Sequence, residues 1–93
     1  MSPPLFPLGR VVATPRALSA LAEASVEPLE LLARHNRGDW GEVPACDAKE
    51  NDRSLKQGLR VLSSYPVGNS DGKVWIITEA DRSSTCLLLP SEY

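Results

Sequence analysis

"KVWIITEADRSSTCLLLPSEY", residues 73 to 93, decides the fold. Two apolar, β-branched and aromatic runs, 73–79 and 84–89, are separated by "ADRS", a gap of hairpin length, so the stretch reads as two antiparallel strands and a turn. A third run of the same character, "LRVLSSY", precedes it with strand positions 60–65 and reaches it through "PVGNSDG", a glycine-bearing connection. The three runs predict a meander. Alternation along the middle strand puts Val74, Ile76 and Thr78 on one face and Lys73, Trp75, Ile77 and Glu79 on the other. Both faces are largely apolar near the centre, as for a central strand with helices on one side and a loop, arm or partner on the other.

Upstream the period changes from two to 3.6. In "LGRVVATP", Val11 and Val12 suggest a short strand, and Thr14-Pro15 supplies an N-cap followed by proline at the first helical position. A helix over Pro15 to Ala24 follows, with Leu18, Leu21 and Ala22 as its apolar stripe. A second begins at Pro28, carries Leu29, Leu32 and Ala33 inward, and stops near Gly38. A third opens between Pro44 and Asp47 and closes at Gly58, with Ala48, Asn51, Leu55 and Leu59 on its inner side. An inward Asn51 must find hydrogen-bond partners, and it is placed to tie the preceding GDWG loop to the sheet. Helices first and strands afterwards predict an α+β domain, with the N-terminal helices packed on a three- to four-stranded antiparallel meander. The predicted core is Trp75, Ile76, Ile77, Leu87 and Leu89 from the sheet, with Leu18, Leu21, Leu32 and Leu55 from the helices.

Ninety-three residues support one core, so residues 9–93 are read as a single domain behind an extended arm, 1–8. The arm, within "MSPPLFPLGR", has three prolines, no basic leader and no long apolar run, and is read as neither a signal peptide nor a membrane span. Nowhere does the chain approach about 18 consecutive apolar residues. Ten Lys and Arg against twelve Asp and Glu give a net charge of −2, so there is no global basic footprint for nucleic acid, and a protein or protein–nucleic acid complex is the expected partner. Cys46 and Cys86, with one histidine and no CxxC, match neither a disulfide framework nor a zinc site. Reduced thiols and a cytoplasmic setting are expected. There is no GxGxxG, Walker loop or HExxH, and no cofactor is expected.

Two polar clusters are candidate sites. "RHNRGDWG" holds His35, Arg37, Asp39 and Trp40: an imidazole near a carboxylate exchanges protons near neutral pH, and a guanidinium stabilises an oxyanion or phosphorane. The bland reading makes Arg34, His35 and Arg37 cations at a helix C-terminus and Trp40 a core plug. "TEADRSST" holds Glu79, Asp81, Arg82, Ser84 and Thr85. Here Arg82 and the hydroxyls can surround an anion such as phosphate, while the bland reading is a shaped turn, with Glu79 paired across the sheet to a base such as Arg60. A nucleophile site assembled from Ser63 or Ser84, His35 and Asp39 lacks any GxSxG elbow.

"RHNRGDWG", "RVLSSY" and "VWIITEADRSSTCLLLPSEY" together resemble a family of small accessory proteins carried by bacterial plasmids, phages and integrative elements, over about Gly9 to Tyr93. The resemblance implies a mobile-element accessory role and brings no catalytic residues. In architecture the chain is also similar to the barnase, EndoU and RelE-like ribonucleases, where helices precede a meandering sheet. That similarity implies a metal-independent ribonuclease in which His35, Arg60, Arg82 and Thr85 are catalytic. The expectation drawn from the residues and the first resemblance is a binding protein, an inhibitor of a host defence nuclease of the anti-restriction or anti-CRISPR kind, with Arg37, Asp39, Trp40, Glu79, Asp81, Arg82 and Ser84 as its contact residues. The ribonuclease is the alternative.

Overall fold

The computed structural model describes residues 4–68 and 72–93. The first three arm residues and the centre of the "PVGNSDG" connection lie outside them. Strand β1 (Arg10–Ala13) leads into helices α1 (Pro15–Glu23), α2 (Pro28–His35) and α3 (Ala45–Gln57), and strands β2 (Val61–Pro66), β3 (Lys73–Thr78) and β4 (Ser84–Leu88) follow. A short 3₁₀ turn, Pro90–Glu92, ends the chain. The order in the sheet is β1-β4-β3-β2.

The three C-terminal strands form the expected antiparallel meander, and the fold is α+β. One expectation needs correction. The sheet is mixed, because β1 joins its edge parallel to β4, and the helices precede only three of the four strands. Parallel pairing requires a long crossover, and all three helices and two strands lie between β1 and β4.

Thr14 caps α1 by accepting the Ala17 amide at 3.1 Å, and Pro15 occupies the first helical position. The cross-strand register places Val61, Ser63 and Tyr65, Val74, Ile76 and Thr78, and Thr85 and Leu87 on one sheet face. Onto it pack Ala17 and Leu21 of α1 and Leu31 and Leu32 of α2. The expected helix stripes are therefore rotated. Leu18 is 46% exposed and Leu29 is 78% exposed, whereas Ala17 and Leu31 are buried. Small Ala17 and Ala20 let α1 lie close to the sheet, which turns Leu18 outward.

The opposite face carries Trp75 and Ile77. The C-terminal turn crosses it, with the Tyr93 ring 5.6 Å from that of Trp75. Ile76, Ile77 and Leu87 are buried as expected, while Trp75, Leu89 and Leu55 are only half-buried. A second, smaller cluster joins Phe6 of the arm to Trp40 and Val61, with Val43, Ala48 and Leu55 around it. Asn51 links α3 to β2 directly, donating to the Leu62 carbonyl at 2.7 Å and accepting its amide at 3.1 Å. The GDWG loop is held by other contacts: Trp40 Nε1 donates to Asp52, and the Trp40 carbonyl accepts the Ser64 amide. Among the described residues no helix is long and apolar enough to cross a membrane.

Candidate functional site

Ser63, Thr78 and Thr85 are the polar members of the inward sheet face, on three adjacent strands. All three are fully buried, and against them the end of α2 sets His35, also fully buried. His35 Nδ1 lies 2.5 Å from Ser63 Oγ and Nε2 lies 2.9 Å from Thr78 Oγ1. Thr78 Oγ1 is 2.7 Å from Thr85 Oγ1, which in turn is 2.7 Å from the Leu8 carbonyl oxygen of the arm.

With a neutral imidazole, hydrogen positions in this chain have one solution. A carbonyl only accepts, so Thr85 donates to Leu8. Thr85 must then accept from Thr78, which must accept from His35 Nε2–H. A neutral imidazole protonated at Nε2 has a lone pair at Nδ1, and Ser63 donates to it. Every buried side-chain polar atom among the described residues has a partner. The neutral form is also the favoured one: burial, and secondarily the positive charge of Arg82, lower the His35 pKa from 6.5 to about 4.

Aromatic rings close the site. Phe6 stands edge-on to His35 at 5.2 Å, Trp40 does so at 5.9 Å, and Phe6 and Trp40 are nearly parallel at 6.3 Å. The Arg82 guanidinium lies over the Phe6 ring at 5.3 Å.

Of the sequence candidates, His35 and Thr85 share one network, and Arg82 and Trp40 border it through Phe6. Arg82 has φ 59° in the β3–β4 turn and donates to the carbonyls of Leu59, Glu79 and Ser54. Its fork stitches that turn to the end of α3. Arg60 lies elsewhere, over the Tyr93 ring at 5.5 Å, and its expected pairing with Glu79 is replaced by this contact. Arg37 is exposed and donates to the Ala33 carbonyl of its own helix.

Asp39 is not the partner of His35. It pairs with Arg34 at 2.7 Å and accepts the Gly41 amide, and the Arg34 hydrogen bond holds its carboxyl below the usual range. Arg34 also lies 4.6 Å from the centre of the Tyr65 ring, whose hydroxyl bonds the Asp39 carbonyl and is pushed up to about 12 mainly by burial. Glu79 and Asp81 are exposed. Asp81 accepts the Ser83 amide at 2.9 Å, which shapes the turn, and its hydrogen bonds to Ser83 lower its pKa. Ser84 opens β4 and accepts the Glu79 amide through its carbonyl.

The His35 reading as a helix-end cation is thus replaced by a buried neutral imidazole. Of the paper-assembled nucleophile site, Ser63 and His35 do meet, but Thr78 takes the position on Nε2 that a carboxylate would need. Sequence reasoning missed Thr78 and Phe6. Thr78 was signalled by its place on the same face as Ile76, since a hydroxyl on a core face demands a partner. Among the described residues no three His, Cys, Asp or Glu side chains converge as a metal site would require. Comparison with protein-family models, with curated proteins and with solved structures finds no match.

Proposed function

We propose that the chain is a small cytoplasmic accessory protein of a mobile element that acts by binding a macromolecular partner, as an inhibitor of a host defence nuclease. One observation carries the preference for binding over catalysis. His35 is fully buried, and both of its ring nitrogens are committed to hydroxyls. A general base must reach the proton it abstracts, and a pKa near 4 makes His35 a weak base at neutral pH. Arg82, which borders the site over Phe6, gives three hydrogen bonds to backbone carbonyls. Exposed Glu79 and Asp81 suit a basic nucleic-acid channel, where complementary charge speeds encounter. The resemblance to mobile-element accessory proteins supplies the setting.

The test pairs two assays. Affinity capture from host cells should recover a nuclease complex whose association weakens with salt and with charge reversal at Glu79 or Asp81. Purified protein incubated with RNA in EDTA should leave it intact, and its expression should not be toxic. Metal-independent cleavage lost on His35→Ala, by roughly 10²–10⁴ in turnover, would replace this reading with the ribonuclease.

A further inference from the structure

Residues 5–9 precede the β1 ladder and are held by a few discrete contacts, with Phe6 in the second apolar cluster and Leu8 half-buried against both clusters. Between the exposed prolines 4 and 7, neither of which has an amide hydrogen to donate, the Leu5 amide donates to the Asn36 carbonyl at 2.7 Å. Phe6 enters the recess walled by His35, Trp40 and Arg82 and is the one buried residue of the segment, while Leu5 is 56% exposed. Two residues after Phe6, the Leu8 carbonyl accepts from Thr85. Gly9, with φ 65°, then passes so close to the β3–β4 turn that a Cβ would sit 2.4 Å from the Arg82 carbonyl oxygen. Only beyond it does Arg10 begin the ladder to β4, through its amide to the Ser83 carbonyl.

We propose that this groove is a peptide-binding site which the chain fills with its own arm, and that on withdrawal of the arm it takes an extended segment of a partner protein. The partner segment carries an aromatic side chain, the amide of the residue before it, and the carbonyl two residues after it. The seated arm defines these three contacts: a ring recess, the Asn36 carbonyl as acceptor and the Thr85 hydroxyl as donor. They are the chemistry of a peptide. A nucleotide would need free donors for its phosphate or base edge, and three of the five N–H groups of Arg82 and both nitrogens of His35 are already engaged. The inference gives the binding reading a surface, and it does not require the partner to be a nuclease.

Two measurements on the full chain test it. In the wild-type protein, hydrogen exchange at the Leu5 amide should be at least about 100-fold faster than at the amides of Val74 and Ile76, as for a segment that opens without global unfolding. Exchange at the same rate as those core amides would show the arm to be an integral part of the domain and overturn the proposal. Second, full-length Phe6→Ala, checked for its fold by circular dichroism, is titrated with a synthetic peptide of residues 2–9 while tryptophan fluorescence is followed. Saturable binding is expected, with the wild type at least roughly tenfold weaker because its tethered arm competes at high effective concentration. The same peptide with alanine in place of its phenylalanine should not bind. Failure of folded Phe6→Ala to bind the peptide, or saturable binding of guanosine monophosphate in its place, refutes the peptide groove. Should Phe6→Ala not fold, the exchange measurement decides alone.

Discussion

Acid should destabilise this protein through His35 before its carboxylates titrate. In the unfolded chain the imidazole has its ordinary pKa of 6.5, and in the folded protein that value is about 4. At neutral pH both states hold it neutral, and the site contributes no pH dependence. As the pH falls below 6.5 the unfolded state takes up a proton that the folded state refuses, so stability is lost until the pH reaches about 4, where the folded state is protonated too. The difference of about 2.5 pKa units corresponds to about 3 kcal/mol in all, of which about 2 kcal/mol is lost by pH 5. Against a total stability of about 5–14 kcal/mol for a domain of this length, that is a large fraction. Urea titrations at pH 7.5 and pH 5 measure the loss, and His35→Gln, which cannot take up a proton there, serves as the reference. The wild type should lose about 2 kcal/mol more than the variant. Since the sequence has a single histidine, its imidazole resonances also report the pKa directly. Equal losses in the two proteins, or an NMR pKa above about 6, would refute the buried neutral imidazole.

Ile76→Ala should cost about 2–5 kcal/mol in denaturant titration, whereas Leu29→Ala, on the exposed side of α2, should stay within about 0.5 kcal/mol. Asn51→Ala strands the amide and carbonyl of Leu62 and should cost about 1–3 kcal/mol, read in the same way. At Gly41, with φ 73°, a Cβ would lie 2.1 Å from the Ser64 carbonyl oxygen, so Gly41→Ala should cost more than about 1 kcal/mol and speed exchange at the Glu42 amide, which bonds that oxygen. Cys46 and Cys86 are unpaired, and thiol titration of the denatured protein without reductant should find both free.

The meander was legible because its evidence is local: strand alternation and turn residues act over a few positions, and Val74, Ile76 and Thr78 share a face as their spacing demands. The parallel seat of β1 was not. Four residues, Arg10–Ala13, are enough to mark a strand but hold no information about which edge will take it. In α1 and α2 the period was right and the phase only partly so: Leu21 and Leu32 are buried as expected, while Leu18, Ala22, Leu29 and Ala33 face outward. Alanines score as neutral in a pattern, although Ala17 is the residue that faces the sheet, and a histidine at a helix end reads as a cation, which hides the Leu31, Leu32 and His35 face. The candidate site was half legible for the same reason. His35, Arg82, Trp40 and Thr85 were marked by their chemistry, but their grouping depends on long-range register, and the ring that brings them together, Phe6, belongs to an arm that carries no periodic signal.

Arm and imidazole are coupled through this grouping. The groups facing His35 are the hydroxyls of Ser63 and Thr78, the rings of Phe6 and Trp40 and, beyond Phe6, the charge of Arg82. Of these, only the Phe6 ring belongs to the arm. On the proposed withdrawal of the arm, water would reach the imidazole, part of the desolvation that depresses its pKa would be relieved, and Thr85 would lose the carbonyl that fixes the direction of the hydrogen-bond chain. Withdrawal of the arm, as proposed, would therefore raise the His35 pKa. By linkage, whatever favours the open arm favours protonation, and protonation favours the open arm to the same extent. The polar turn between two apolar strands has structural ties of its own, since Asp81 shapes it and Arg82 fastens it to α3. In the proposed groove Arg82 and Thr85 would form the lip and floor, and closure of the arm would register in the proton affinity of one buried histidine.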